Sequence, residues 1–591
     1  MKQGFKTGFV LAFAMLLNKG IHAQFKITGT VKDETGHPIP FVPVGILQTQ
    51  HTSVTSIQGD FTITGVEQGT VVLNTYAPGY SMTRDTLMVR GDISFNPVLR
   101  ESGKNLDEVV VNATRVDNSN GMVYNNIDSE TLKKQNLGQD APYMLAQLPS
   151  VVVNSDAGNG VGYTGLRIRG TDATRVNVTI NGVPVNDAES QGTYFVDMPD
   201  LVSSVNNIQV QRGVGASSNG AGAFGATINF QTNQLNEKSY AKAISTAGSY
   251  NTFRNTLAAG TGLLNNHFTL DARASNITSN GYIDRASSKL QSYYLAAGWY
   301  GKKAVWKLLN FMGQEKTYQA WNYVLEDSIK NGNRTFNSCG QIFDANGNFT
   351  GKYYKNETDN YKQNNFQLHF IHSFNSRTQL NVTAHYTKGA GYYEQYRSGN
   401  SLADYGLPPV ITAKHDTITN TDLIRRLWLD NDFAGGIFNF NYKATANFGF
   451  TLGGGYNTYF GKHFNRIIWA QYPSTSTYDY QYNLNTANKN DGNIYLKMNY
   501  RPVKNLNVFA DMQVRHVDYR FLGFTDSLKS KMQNQTYTFM NPKLGLSYDV
   551  KRLNLYASVA MANKEPNRDD FVQSSPQSRP KPETLTDIET G

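Results

Sequence analysis

Apolar and polar residues alternate along the second half of the chain, from about residue 239 onward. Between residues 506 and 515 the even positions are apolar and the odd positions are polar, with Phe509 as the one apolar exception. Similar runs cover residues 494–500, 544–550 and 553–559. We predict a turn at 501–505 and pairing of 544–550 with 553–559. A period of two places one face of a strand against an apolar medium and the other against a polar one. The pattern therefore predicts a long series of antiparallel strands.

Two architectures fit this alternation: a soluble β-sandwich with its apolar side inward, and a membrane barrel with its apolar side outward. The predicted strands are about 9–11 residues long and often end in aromatic residues, as outer-membrane strands do. Short connections such as 375–377 alternate with long ones at Gln314–Tyr361 and Glu394–Leu427. Because only closed sheets satisfy every backbone group in lipid, this asymmetry favours a β-barrel.

The amino-acid composition further restricts the classes of partner and binding site that the chain can have. Charged residues make up 17% of the chain, while 35 Tyr, 31 Phe and 52 Gly favour strands and tight turns. The formal charge of +9 is carried by dispersed Lys and Arg without a basic stripe, so we expect no nucleic-acid partner. The single cysteine, Cys339, excludes an intrachain disulfide and a multi-thiolate metal site.

The first 23 residues predict export. Lys2 and Lys6 precede the apolar run Phe9–Leu17, and the small residue Ala23 follows. This arrangement is typical of a secretory signal peptide cleaved after Ala23. The apolar run is shorter than the roughly 20 residues that a membrane-spanning helix needs.

Residues 25–98 predict a small all-β domain. Gly29–Ile46 has the pattern of a strand, a Gly/Pro turn and a second strand, and Gly59–Val66 and Thr70–Tyr80 predict further strands. We expect a spacer or a partner-binding module without catalytic chemistry. Its residues Gly29, Asp33, Gly36, Pro38, Gly59, Phe61, Gly79 and Tyr80 resemble those of the carboxypeptidase regulatory-like β-sandwich.

A short extended segment, Val109–Val111, follows a polar linker. A strand without a local partner can be added to the sheet edge of another protein. The alternative is that it forms one more strand of the preceding domain.

Three segments between residues 141 and 232 occur in a characteristic order: "APYMLAQLPSVVVNSD", "GLRIRGTDATRVNVTINGVPVND" and "IQVQRGVGASSNGAGAFGATINFQT". They resemble the plug domain of TonB-dependent outer-membrane receptors, and the whole order of segments is similar to receptors of the Bacteroidetes type. The plug residues that we assign on this resemblance are Arg167, Arg169, Gly170, Arg175, Asn181, Gly182, Pro184, Arg212, Gly213, Gly225 and Asn229.

The resemblance implies a mainly β fold: a transmembrane antiparallel barrel with an internal plug and an N-terminal β-sandwich. It divides the chain into a signal peptide (1–23), the sandwich (25–98), a linker (99–120), the plug (121–235) and a partial barrel (236–591). Within the linker, Asp107, Glu108, Val109, Val110 and Val111 resemble the TonB box. The protein is then expected in the outer membrane, in contact with its lipid, with the plug and sandwich reached from the periplasm.

The function implied is energised uptake of a scarce small ligand, with TonB and its inner-membrane complex as partners. A ferric siderophore or another iron chelate is the first expectation, and a glycan, haem or a corrinoid is the alternative. A surface adhesin or a passive porin is the hypothesis of a different class. We expect no catalytic residue, no resident metal and no cofactor. The ligand, a partner lipoprotein and the role of the sandwich are not determined by the sequence.

The chain departs from the family pattern in several places. Gln209 stands where Glu is common, Val214 where Pro is usual and Asn181 where Asp is frequent. Plugged barrels of this kind have about 22 strands, whereas the chain after residue 238 has room for roughly fourteen to sixteen. We therefore expect the sequence to be part of a longer receptor, with a nonfunctional fragment as the open alternative.

Motifs of other protein classes do not fit their context. A G-x-G-x-x-G run at Gly160–Gly165 precedes a predicted strand rather than a helix, which excludes a dinucleotide fold. We expect the glycines of 213–225 to permit tight turns and close packing instead. His369 and His372 fall on opposite faces of a predicted strand and cannot share a metal ion. No nucleophile motif of a hydrolase occurs.

Two further groups of residues are candidates for contacts inside the barrel. Arg167, Arg169, Arg175 and Arg212 are expected either to face polar barrel residues or to be solvated. The aromatic and amide-rich segments Thr317–Val324 and Gly389–Asn400 are expected to contact the ligand.

Overall fold

The structure is a computed structural model. It describes residues 24–47, 49, 51–77, 80–100, 116, 122–220, 222–232, 235–522, 532–550 and 553–591. The predicted signal peptide (1–23) and the predicted TonB box (107–111) lie outside these residues. Contacts divide the chain into two compact units, residues 1–105 with 373–377, and residues 106–372 with 378–591.

The first unit contains a small β-domain whose strands are short. They form the sheets β5-β1-β8, β4-β3-β6-β7 and β2-β9, and they enclose a core that includes Ile27, Phe61 and Leu73. The strands are β1 (Gln24–Thr30), β2 (Lys32–Asp33), β3 (Pro43–Ile46), β4 (Thr52–Val54), β5 (Asp60–Glu67), β6 (Gly69–Thr75), β7 (Thr83–Val89), β8 (Ile93–Ser94) and β9 (Val98–Leu99).

The second unit begins with a mixed sheet of order β10-β15-β16-β13-β14, in which β13 and β16 run parallel. Its strands are β10 (Tyr124–Asp128), β11 (Val151–Ser155), β12 (Thr164–Ile168), β13 (Val176–Ile180), β14 (Val183–Pro184), β15 (Val205–Arg212) and β16 (Ala226–Thr232). Two helices accompany them, α1 (Ser129–Gln135) and α2 (Ala141–Leu145). Short 3₁₀ turns cover Ala173–Arg175, Phe195–Asp197, Leu201–Ser204 and Ser217–Asn219. We refer to this part as the plug.

The rest of the described chain forms a sheet of 14 antiparallel strands, the barrel sheet, with β17 and β34 at its two edges. Its strands are β17 (Tyr240–Gly248), β18 (Thr252–Gly260), β19 (Phe268–Ser279), β20 (Ser288–Tyr300), β21 (Ala304–Tyr318), β24 (Thr358–Asn375), β25 (Thr378–Ser401), β28 (Asn420–Lys443), β29 (Phe448–Ala470), β30 (Tyr480–Val503), β31 (Leu506–Leu522), β32 (Met532–Val550), β33 (Leu553–Lys564) and β34 (Glu583–Thr590).

The long connections of the barrel sheet carry small elements of their own. These are α3 (Glu326–Lys330), β22 (Gln341–Phe343), β23 (Phe349–Tyr353), a 3₁₀ turn (Leu402–Tyr405), β26 (Val410–Ile411), β27 (Thr417–Ile418) and α4 (Arg568–Val572). They all lie at one end of the sheet, which we call the long-loop end. The connections at the opposite end, such as 301–303, 376–377 and 504–505, are short.

The barrel sheet turns its apolar side outward. Along β31, Asp511, Gln513 and Arg515 are buried, whereas Met512 and Val514 are exposed. The predicted pairing of 544–550 with 553–559 is confirmed, with Leu544 opposite Val559 and Val550 opposite Leu553. A soluble sandwich would bury the apolar face, so this pattern excludes it and matches a sheet with a lipid-facing exterior.

The predicted strand lengths were wrong for the middle of the sheet. Strands β25, β28 and β30 each have 24 residues, far more than the predicted length. The predicted loops Gln314–Tyr361 and Glu394–Leu427 are correspondingly shorter, and β30 continues into the predicted turn at 501–505. A bilayer needs only about 9–11 residues per strand. Beyond it the backbone ladder continues while the apolar alternation stops, so periodicity underestimates the strands.

The glycine-rich stretch 213–225 lies between β15 and β16 at the end of the plug. Gly213 and Gly220 have positive φ angles, 80° and 96°, which side chains with a Cβ rarely adopt. The glycine run Gly160–Gly165 leads into strand β12, as the sequence predicted. In the described part of the chain, no helix is long and apolar enough to cross a membrane.

Candidate functional site

A cavity of about 790 Å³ lies between the plug and the long-loop half of the barrel sheet. The plug contributes Tyr163 and the segment from Pro184 to Met198, and the sheet contributes residues of β24, β25, β28, β29 and β30. Its size is within the range of sites that hold small molecules. Both segments expected to contact a ligand reach it, through Trp321 and through Gly391, Tyr392 and Tyr393.

Aromatic rings form two groups around this cavity. The Trp321 ring meets the rings of Tyr163 and Tyr393 edge-on, at centroid distances of 6.1 and 5.6 Å. On the other side, Trp428 contacts Tyr392 at 4.5 Å. These rings give the cavity apolar walls with polar edges, which suits a ligand that is neither fully apolar nor fully hydrated.

The carboxylates of the cavity outnumber its cations. Five carboxylates line it, namely Asp187, Glu189, Asp197, Asp359 and Asp569, against Arg568 and His463. Both basic side chains pair with Glu189, Arg568 at 3.3 Å and His463 at 2.6 Å. The cavity therefore carries a surplus of acidic groups.

Asp197 is the most isolated of these carboxylates. Its residue is only 7% exposed, and within the described part of the chain its carboxylate forms no hydrogen bond and no ion pair. Burial, and then the neighbouring carboxylates Asp359 and Asp187, raise the pKa of Asp197 well above its ordinary range. Burial and then Glu189 also raise the pKa of Asp187, against hydrogen bonds from its own loop.

Glu189 ties the plug to the barrel sheet. Its carboxylate accepts hydrogen bonds from Tyr459 and Tyr519, both at 2.8 Å, and from His463 Nε2 at 2.6 Å. Burial raises the pKa of Glu189, but the hydrogen bond and charge of His463, the charge of Arg568 and the Tyr459 bond outweigh it and lower this pKa to about 2. The carboxylate is therefore a charged, fully satisfied anchor.

A second set of buried charges lies beside this anchor. Glu565 pairs with Lys489 and Arg515, both at 2.8 Å, and Arg515 also pairs with Asp491 at 2.8 Å. Gln191 of the plug donates to Glu565 Oε1 at 3.1 Å. Lys489 Nζ donates to the backbone carbonyl of Ala188 at 2.8 Å. The plug loop 186–191 is thus held by two neighbouring polar clusters of the barrel sheet.

Polar contacts at two further places fix the plug. The buried Asp200 carboxylate accepts a hydrogen bond from Thr256 at 2.7 Å and lies 3.3 Å from Arg273. At the opposite side of the plug, Lys543 Nζ donates to Ser217 Oγ at 2.6 Å. These contacts are hydrogen bonds and ion pairs rather than apolar packing, so they are interactions that water can replace.

The predicted arginines fall in different environments. Arg169 and Arg175 form ion pairs with Glu589 and Glu583 of β34, the latter at 2.6 Å. Arg212 donates to Asn125 within the plug. Arg167 is exposed on β12. None of the four lines the cavity.

The other predicted plug residues form turns and strand contacts. Asn181 and Gly182, with φ of 55° and 83°, make the turn that leads to Pro184 in β14. Gly213 N–H donates to the carbonyl of Gly225 at 3.0 Å. Asn229 is buried in β16, and Gly170 is exposed in a turn. Of the predicted plug residues, the structure brings only Pro184 to the cavity wall.

Sequence reasoning missed the role of Gln209. Its side-chain amide accepts from the N–H of Val116 at 3.1 Å and donates to the carbonyl of Val116 at 3.0 Å. Val116 lies five residues after the predicted TonB box. One sign of this role was present in the sequence, namely that Gln209 stands where the family commonly has Glu. An amide can both donate and accept hydrogen bonds, whereas an ionised carboxylate only accepts them.

The described residues contain no group of three or more His, Cys, Asp or Glu side chains that could hold a metal ion. His369 is buried and bonded to Thr383 and Gln367. Cys339 is a buried free thiol.

Solved structures with similar folds include a pyoverdine-bound protein and two transporters. P. aeruginosa FpvA bound to heterologous pyoverdines has 13% identity and a TM-score of 0.57, with 80% of this chain and 60% of that chain covered. The ferric citrate transporter FecA has 16% identity and a TM-score of 0.60, with 80% and 67% covered. The copper transporter OprC has 13% identity and a TM-score of 0.61, with 81% and 71% covered. The chain thus spans about three fifths of the length of FpvA.

None of the curated proteins matches the sequence. Three sequence families do, and together they cover most of the chain. Residues 27–111 match the CarboxypepD_reg-like domain, residues 115–227 the TonB-dependent Receptor Plug Domain, and residues 305–591 the TonB dependent receptor-like beta-barrel. The chain belongs to the TonB-dependent receptors with an N-terminal carboxypeptidase-regulatory-like domain.

Proposed function

We propose that this protein takes up a scarce small ligand across the outer membrane, using energy delivered through TonB. The ligand enters from the long-loop end and binds in the cavity between plug and barrel sheet. TonB then adds the segment Asp107–Val111 as a strand to its own sheet and pulls on it. The plug rearranges and the ligand passes to the periplasm.

The observation that supports this proposal is the way the plug loop 186–191 forms part of the cavity wall. The same loop carries Glu189 and Gln191, which bond the barrel sheet. A ligand in the cavity therefore contacts the loop that anchors the plug, and it can shift the population of plug conformations if it binds one of them better.

The first ligand class to test is an iron chelate. Solved structures with this fold include the ferric citrate transporter FecA and the ferric-catecholate import receptor Fiu from E. coli K12. The aromatic walls and the volume of the cavity suit a chelate, and they also suit a glycan or a corrinoid.

The experiment compares the full chain with a variant that lacks residues 106–111, in cells grown under iron limitation. The probe is a ferric trihydroxamate loaded with radioactive iron. We expect the variant to bind the probe at the cell surface and to accumulate none inside. A passive porin would keep its uptake, and an adhesin would show no uptake in either form; either result contradicts the proposal.

A further inference from the structure

The charged groups that line the cavity indicate which kind of ligand it binds. This inference rests on the proposed function. Glu189 pairs with His463 and Arg568, the two basic side chains of the cavity wall. Asp187, Asp197 and Asp359 form no ion pair with any Lys, Arg or His among the described residues. Further arginines of this end, among them Arg397, Arg425 and Arg426, do not line the cavity, and Arg426 is paired with Glu394 at 2.8 Å.

An unpaired buried carboxylate is costly, and natural proteins rarely keep one without a reason. Asp187 accepts hydrogen bonds from its own loop, and Asp359 accepts one from Tyr163 at 2.5 Å. Asp197 receives none within the described chain, although its residue is more than nine-tenths buried and lines the cavity. This carboxylate therefore has an unmet need for a donor or a positive charge at the cavity surface.

The aromatic groups around the same carboxylates favour the same kind of ligand. Tyr163 contacts Asp359 through its hydroxyl, and its ring packs against Tyr194 and Trp321. A cation is attracted both by a carboxylate and by the face of an aromatic ring. A ligand with several negative charges finds no unpaired Lys, Arg or His among the described residues of the cavity wall.

Neutral polar groups of the cavity wall can also form hydrogen bonds with a ligand. The indole Nε1 of Trp428, the Nδ2 of Asn365 and the Oδ1 of Asn485 have no hydrogen-bond partner in the described structure. All three residues line the cavity. They offer donors and an acceptor, which can orient amide or hydroxyl groups of a ligand once its charge is matched.

We propose that the cavity selects a ligand that carries an ammonium or guanidinium group, which docks against Asp197 and Asp187 beside the Tyr163–Trp321 aromatic wall. A polyanionic chelate such as a ferric tris-catecholate is disfavoured. A chelate whose metal charge is balanced and whose side arm is cationic satisfies both the proposed function and the cavity.

The test uses three ferric complexes with one shared trihydroxamate core. Desferrioxamine B bears a free amine and gives a cationic complex, its N-acetyl derivative gives a neutral one, and its N-succinyl derivative gives an anionic one. Binding to the full chain in detergent micelles is measured by calorimetry. We expect affinity to fall in that order, by about tenfold or more from the first to the last.

Single variants identify which carboxyl groups the cationic group of the ligand contacts. Asp197→Asn and Asp187→Asn should each reduce the preference for the cationic complex, while binding of the neutral complex stays within about threefold. Asp416→Asn, an exposed residue of the same end, is the matched control and should leave the preference unchanged. The unfolding temperature of each variant is measured in parallel. Asp197→Asn should not lower it, because the Asp197 carboxyl forms no hydrogen bond or ion pair with the described chain that the amide would lose.

Equal affinity for the three complexes, the reverse order, or no saturable binding of the cationic complex would overturn this inference. The proposed function would still stand if any of the complexes were accumulated in a manner that depends on residues 106–111. Conversely, a correct order of affinities with uptake independent of those residues would remove the proposed function and keep the charge selectivity.

Discussion

The Glu189 carboxylate of the plug and His463 of strand β29 lie 2.6 Å apart, with the imidazole Nε2 against carboxylate Oε2. The two residues are 274 positions apart in sequence. Both line the cavity. The contact that holds the plug loop to the barrel sheet is therefore also part of the surface that a ligand would touch.

Glu189→Gln should loosen the plug loop. The substitution keeps the size of the side chain but removes the charge that His463 and Arg568 pair with, and breaking a buried pair costs about 3–5 kcal/mol. We expect faster hydrogen exchange in residues 186–194, measured by mass spectrometry on the full chain. Glu130→Gln, which removes an exposed carboxylate in α1, is the control. Unchanged exchange in 186–194 would show that Glu189 does not anchor the loop.

The same carboxylate predicts an acid sensitivity with a defined direction. Its pKa falls from 4.5 to about 2 in the folded protein, because its partners outweigh the effect of burial. A lowered pKa contributes stability that is fully present above the unfolded value of 4.5 and is lost as the pH falls through about 2. Exchange in residues 186–194 should therefore accelerate over this window in the wild type and much less in Glu189→Gln. Parallel pH profiles for the two proteins would contradict this account.

For Asp140 we expect the opposite dependence of folding stability on pH. It is buried before helix α2, and burial raises its pKa from 3.8 to about 8 despite a hydrogen bond from Thr164. Between these values the folded state keeps a proton that the unfolded state loses, so stability falls by about 1.4 kcal/mol per pH unit as pH rises. Asp140→Asn should remove this slope in urea unfolding of the chain in micelles. The exposed Asp327→Asn should keep it, and a slope that persists in Asp140→Asn would assign it to another group.

Gln209 predicts a change in the segment that TonB is proposed to bind. Its amide holds both backbone groups of Val116. Gln209→Met removes these two bonds, which costs about 1–2 kcal/mol. The population of molecules in which Val116 is released from residue 209 should therefore rise several-fold. We expect stronger capture of the ligand-free receptor by the periplasmic domain of TonB. Gln231→Met, on the neighbouring strand β16, is the control, and equal capture of the two variants would contradict the role of Gln209.

The sequence predicted the fold through short-range patterns and failed where contacts are remote. Alternation at 544–550 and 553–559 predicted a hairpin whose residues pair as expected. The same signal could not show that β25 continues to Ser401, because its outer part is no longer constrained by lipid. The cavity was not predictable, since its anchor joins Glu189 to Tyr519, 330 residues away. The aromatic and amide-rich composition of two segments was enough to select the parts of the chain that bring Trp321 and Tyr393 to the cavity wall.

Locking the plug to the barrel sheet tests directly whether the plug must rearrange for uptake. Asn159 Nδ2 of the plug donates to Ser279 Oγ at the end of β19 at 2.8 Å. The two side chains are in direct contact, and a disulfide forms between cysteines whose Cβ atoms come within about 3.5–4.5 Å of each other. We therefore substitute Asn159→Cys and Ser279→Cys together, and use each single variant as a control.

Uptake of a radioactive ferric trihydroxamate is then measured in oxidised and in reduced cells. We expect the oxidised double variant to bind the probe without accumulating it, and we expect reduction to restore uptake to the level of the single variants. Uptake by the oxidised, fully cross-linked protein at the reduced rate would show that the plug need not move away from β19, and would contradict energised transport through plug rearrangement.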